Sequence, residues 1–112
     1  MNLRKLDVCQ VAVRFLPLAA AIADSIPARY AYLADQPRRA SLPIPLNIAE
    51  GSGKRSGLDQ RRFYAIARGS AMGCAAILDA CTALTLIEQP RTEEADQLLL
   101  STVRMLSKMC LS

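Results

Sequence analysis

The chain has 112 residues, 52% of them hydrophobic, with 14 Lys and Arg against 10 Asp and Glu and neither His nor Trp. That length fits a single domain over residues 1–112, and so apolar a composition excludes a disordered polyampholyte. Without His the commonest metal ligand and the commonest general base are both missing, so the expectation is a soluble, compact non-enzyme with no catalytic residue, metal or cofactor.

The first predicted element spans about residues 3–25 and carries two apolar stripes at helical spacing. One is Leu6, Cys9, Val13, Leu16, Ala20 and Ala23; the other is Val8, Val11, Phe15, Leu18, Ile22 and Ile26. Together they exceed the roughly 100° that an ordinary surface helix buries, which calls for two partners: the chain's own bundle and something else. Pro17 predicts a kink. The run Phe15–Ala23 faintly imitates a signal peptide or membrane segment, but Asp7, Arg14 and Pro17 interrupt the pattern. Its nine residues are too few to cross a bilayer, so it reads as a core helix with no membrane contact, export being the minor alternative.

The second element, about residues 29–50, is interrupted by Pro37, Pro43 and Pro45 and anchored by Tyr30, Leu33, Leu42, Leu46 and Ile48. Helical pieces with bends are expected, then a turn at Gly51-Ser52-Gly53 whose glycines permit positive φ. The third element opens with the capping-box spacing of Ser56 and Asp59. Two adjacent rows follow, Phe63, Ile66, Ser70, Gly73, Ile77, Ala80, Leu84, Ile87 and Tyr64, Ala67, Ala71, Cys74, Leu78, Cys81, Thr85. They predict a helix of about 30 residues with a wide buried face, where Gly69, Ser70, Ala71 and Gly73 admit a neighbouring helix closely. The fourth element starts at Pro90-Arg91-Thr92, with Thr92 as N-cap, Glu93, Glu94 and Asp96 in the first turn, and a core stripe of Ala95, Leu99, Val103, Leu106 and Cys110. No run has the period of a strand. Four helices with short connections make an all-α, up-down-up-down four-helix bundle.

Cys9, Cys74, Cys81 and Cys110 sit among apolar residues, without a CxxC or Cys/His pattern, and Cys74 and Cys81 are about 10.5 Å apart along a helix, too far to bridge. They read as reduced thiols of a cytoplasmic protein.

Charge is uneven. Residues 29–68 hold eight basic side chains and three acids, a local +5 against −1 elsewhere. Arg38, Arg39, Lys54, Arg55, Arg61 and Arg62 are the candidates for a nucleic-acid surface, since sequential antiparallel helices would bring them to one side. Nearby aromatics are few (Tyr30, Tyr32, Phe63, Tyr64), so binding to RNA or DNA would be phosphate-dominated, weakly specific and salt-sensitive. The other reading is a solvated helix face. Gly51-Ser-Gly-Lys-Arg-Ser56 resembles a fragment of a phosphate loop, but Ile48 stands at the first Gly position, Arg55 follows Lys54, and no strand precedes; it reads as a helix-to-helix turn. Glu50 and Asn47 form no acid/base pair. Glu50 is expected to pair with Arg62 or Arg68, and Asn47 to hydrogen-bond backbone freed by Pro45.

A resemblance sharpens this reading. Gln36-x-Arg38-Arg39-Ala40, then Pro45-x-Asn47-Ile48-Ala49-Glu50-Gly51, then Ile66-Ala67-x-Gly69-Ser70 are similar in order and spacing to a bacterial four-helix bundle family. Its members include proteins encoded within intervening sequences of 23S ribosomal RNA genes, and the accessory variability protein of diversity-generating retroelements resembles it more distantly. The resemblance covers about Leu6 to Leu106 and makes Pro45, Asn47, Glu50, Gly51, Arg68, Gly69 and Ser70 a structural motif. Pro43 and Pro37 depart from it, and Gly73 lies where an acid is expected. It implies a homo-oligomer of five bundles, with nucleic-acid binding known by analogy only. The expectation is therefore an assembly or adaptor protein that binds itself, with weak nucleic-acid binding. The alternative is a monomeric bundle that binds a partner protein through the apolar face of helix one.

Overall fold

A computed structural model describes residues 6–111, apart from the side chains of residues 89 and 90. Five α segments form four rods, with no strand among the described residues. The first, α1 (Asp7–Ser25), continues through Pro17, which is exposed, so the carbonyl it leaves without a donor lies toward solvent. The start of the expected first helix, residues 3–5, lies outside the described residues. Ile26 ends the helix in extended backbone because Pro27 disfavours the α conformation before it. One 3₁₀ turn, Ala28–Tyr30, leads into α2 (Ala31–Ser41) and α3 (Pro43–Ser52).

Three prolines bend this second rod less than the sequence suggests. Leu42, between α2 and α3, keeps helical angles (φ −62°, ψ −38°). The break makes Pro43–Pro45 a first turn, where backbone N–H groups have no intrahelical partner anyway. Leu46 N–H then donates to the Leu42 carbonyl at 3.3 Å, so the prolines remove little. Pro37 is buried inside α2.

The longest helix, α4 (Gly57–Ala83), begins as expected: Ser56 Oγ accepts the Asp59 N–H at 3.1 Å. It ends at Ala83 in a Schellman motif. Leu86 N–H reaches the Cys81 carbonyl at 2.9 Å and Thr85 N–H the Thr82 carbonyl at 3.0 Å. Thr85 takes the left-handed conformation there (φ 61°) and is exposed, outside the core row assigned to it. The last helix, α5 (Gln89–Leu111), starts before Thr92. Thr92 is therefore inside the helix, 1% exposed, and donates to Asp96 Oδ2 at 3.3 Å instead of capping.

Around the bundle the rods follow the order α1, α5, α4, α2–α3, each packed on its neighbours in a body of 45 × 23 × 21 Å. Phe15, Ile44, Ile48, Leu78, Leu99 and Leu106 fill the core, and Ala12, Ala19, Ala67 and Ala71 are fully buried where helices come close.

Of the two α4 rows, one faces this core along its length and the other reaches it only at Ile77 and Ile87. Tyr64, Ala67, Ala71, Cys74, Leu78 and Cys81 are buried, whereas Ile66, Gly73, Ala80 and Leu84 of the other row are exposed. Gly69 and Gly73 admit no helix of this chain either, because a Cβ on either would meet nothing within 4 Å. On α1 the second stripe is the buried one, joined by Ala12 and Ala19; Val13 and Ala20 of the first are exposed.

Candidate nucleic-acid interface

The six candidate cations fall into two groups. Arg39 lies in α2, thirteen residues or about 20 Å along the rod from the end of α3 at Ser52, beyond which Lys54 stands in the turn, so the expected single surface does not form. Arg38 pairs with Asp24 of α1, and Arg39 with Asp35 at 2.6 Å; that end is neutralised. Lys54, Arg55, Arg61 and Arg62 gather at the α3–α4 turn. Lys54 lies 3.8 Å from Glu50 and over the Phe63 ring at 5.1 Å, while Arg62 lies 3.7 Å from Asp59. Four cations against two carboxylates leave that turn at a net +2. These ion pairs are exposed, and surface pairs of this kind contribute at most about 1 kcal/mol, so the cations can exchange partners with a phosphate. Among the described aromatics Tyr32 is exposed (71%), while Tyr64 is buried and hydrogen-bonded to Ser52 at 3.1 Å. The turn therefore supplies charge with little stacking surface.

No phosphate loop is built here. Gly51 and Ser52 belong to α3, and among the described residues no Gly has positive φ. Nor do the described residues contain a group of three His, Cys, Asp or Glu able to hold a metal. All four cysteines are free; Cys74 and Cys81 are buried, and burial pushes the Cys74 thiol up to about 11. Asp96 lines an apolar groove of ≈ 480 Å³ between α4 and α5, beside Met72, Leu100 and Asp79. Burial raises its carboxyl above the usual range; the Thr92 hydroxyl opposes this and the Asp79 charge adds to it.

The outward side of α4 differs from an ordinary solvated face. Between Arg62 and Asp79 every exposed position is Ala, Ile, Gly or Met: Ala65, Ile66, Gly69, Met72, Gly73 and Ala76. The surplus apolar surface that the sequence assigns to helix one is thus largest on α4. On α1 the exposed Val13, Pro17, Ala20 and Ala21 are flanked by Gln10, Arg14 and Asp24.

Residues 4–108 match the family described as 23S rRNA-intervening sequence protein. The chain belongs to that family. A comparison with curated proteins finds no match. The motif of this 23S rRNA-intervening sequence protein family member is largely a packing device. Gly51 lets α3 approach α4: an added Cβ would stand 2.8 Å from Tyr64 Cε1 and 3.0 Å from Phe63 Cβ. Pro45 is buried. Asn47 Nδ2 donates to the Pro43 carbonyl at 2.8 Å, whereas the carbonyl that Pro45 leaves free belongs to Ser41. Glu50 pairs with neither Arg62 nor Arg68; its partner is Lys54, and Arg68 Nε donates to Ser107 Oγ of α5 at 2.7 Å. Gly69 is exposed and Ser70 half-buried. Both the Lys54–Glu50 and Arg39–Asp35 pairs have i,i+4 spacing, a signal present in the sequence; the Arg38–Asp24 pair crosses rods and has none.

Proposed function

We propose that this protein is a non-enzymatic assembly or adaptor protein: copies associate into a small homo-oligomer, five by the family resemblance, with a weakly basic rim that attracts nucleic-acid phosphates. The observation that carries this reading is the charge-free outward side of α4. A monomer gains nothing by exposing Ile66 (51%) and Met72 (48%) beside two glycines that would be better helix formers as Ala. Contact with another helix would bury that surface. The four free thiols suit a reducing compartment, so cytoplasmic residence is part of the proposal. Although α1 has the length and composition of a membrane span, Val8, Ala12, Phe15, Ala19 and Ile22 of its inner face are buried in the bundle, which favours a core role without membrane contact.

Sedimentation equilibrium at micromolar concentration tests the assembly. A mass several times 12.2 kDa is expected; a species of 12.2 kDa would overturn it and favour a monomer that binds a partner protein, for which Val13 and Pro17 of α1 are the exposed candidates.

A further inference from the structure

A second apolar strip lies on the rod beside α4. Leu42 (49% exposed) and Leu46 (54% exposed) project outward from the α2–α3 rod, in a row that reaches Gly53. Because α3 packs directly on α4, the outward sides of these two rods diverge by roughly a quarter turn in a four-cornered bundle. In a closed ring, the directions from one copy to its two neighbours enclose about 90° for four copies and about 108° for five. Two different strips at such an angle suit head-to-tail contact that closes on itself, whereas a strip that met itself would stop at a dimer.

We propose that the outward strip of α4 in one copy seats the Leu42–Leu46 strip of the next, with Glu50 of the second copy meeting Arg62 of the first. The proposal rests on the self-association argued above and names the contact that makes it. Register supports it. Rotation about a ring axis parallel to the rods keeps heights, which at about 1.5 Å per residue can be counted from the α3–α4 turn. On α4, Arg62, Ile66 and Gly69 stand about 7.5, 13.5 and 18 Å from the helix start. On α3, Glu50, Leu46 and Leu42 stand about 3, 9 and 15 Å from the helix end. All three pairs stand within about 3–5 Å of each other in height, less than a helical turn and within side-chain reach, so with no displacement along the ring axis Glu50 meets Arg62 and Leu42 lies beside the depression at Gly69. That depression is open, since nothing lies within 4 Å of where a Gly69 Cβ would be. The charges are available as well: Glu50 (62% exposed) and Arg62 (72% exposed) hold their in-chain partners only at 3.8 and 3.7 Å.

The test uses two full-length variants, Ile66→Glu and Leu46→Glu, each at a half-exposed position, with helical circular dichroism to verify folding. The milder I66S and L46S replace them if that signal drops. Wild type is expected at the mass of four or five copies and each variant alone at 12.2 kDa. An equimolar mixture is expected to give a 1:1 pair at twice that mass, because each variant keeps the strip the other has lost. Leu46→Glu retaining the wild-type mass while Ile66→Glu dissociates would mean that α4 meets itself, and a mixture that stays at 12.2 kDa also overturns the contact. A wild-type oligomer indifferent to both substitutions removes this contact and leaves self-association standing. A wild-type chain that is itself monomeric removes both.

Discussion

Replacing Gly51 with Ala separates close packing from backbone freedom as the reason for that glycine. The residue is helical, so Ala by itself would favour the folded state by about 1 kcal/mol. Against this, the new Cβ would stand 2.8 Å from Tyr64 Cε1, 3.0 Å from Tyr64 Cδ1 and 3.0 Å from Phe63 Cβ. Phe63 Cβ cannot rotate away, because it is fixed to the α4 backbone. The Tyr64 ring is 8% exposed and held through its hydroxyl by Ser52 at 3.1 Å, so relief requires α3 and α4 to separate. Overpacking of this kind costs about 1–3 kcal/mol, leaving a net loss of about 1–2 kcal/mol at the tight end of that range. For a domain near 100 residues this lowers Tm by about 4–8 °C. The control is Gly53, two residues on, where an added Cβ would meet only the Glu50 and Ala49 carbonyls at 3.6 and 3.8 Å. G53A should leave Tm level or raise it slightly. Thermal unfolding followed at 222 nm, at one protein concentration because assembly adds to stability, compares the two. A G51A protein that melts no lower than G53A would refute the packing argument.

The strain at the end of α4 makes the opposite prediction: T85G should raise Tm by about 4 °C, since Gly accepts φ 61° without the roughly 1 kcal/mol that a β-branched residue incurs there, and an unchanged Tm would remove that account. The Cys74 thiol is held protonated by burial up to about 11, against 9.0 when unfolded. Its contribution to stability is therefore complete below pH 9.0 and lost as pH rises toward about 11, as the unfolded thiol ionises first. Urea titrations across that interval should lose less stability in C74A than in wild type; parallel losses would contradict the assignment. Retention of RNA or DNA fragments at low salt should weaken with Arg55→Glu and Arg62→Glu at the α3–α4 turn, and much less with Arg38→Glu or Arg39→Glu, whose end is neutralised. Equal effects at both ends would place the phosphate contacts elsewhere.

The periodicity of the sequence was enough to determine the four rods, the Ser56 cap and the all-α class, because helical spacing and capping are local properties. It also laid out two adjacent apolar rows on α4, which read there as one wide buried face, while it assigned the surplus apolar surface to helix one. Which row turns inward was decided only in the folded molecule. Two adjacent rows on one helix, both apolar and both stepping by three and four, satisfy the same local rule. The choice depends on what approaches: Gly51 on α3 makes room for the Tyr64 ring, and that contact fixes the rotation of α4. The charges obey the same division. The Lys54–Glu50 and Arg39–Asp35 pairs follow from helical spacing, whereas the partnership of Arg38 with Asp24 exists only because the α2–α3 rod packs against α1. Local geometry states what each helix can offer, and packing selects which side it shows to the core and which to its surroundings.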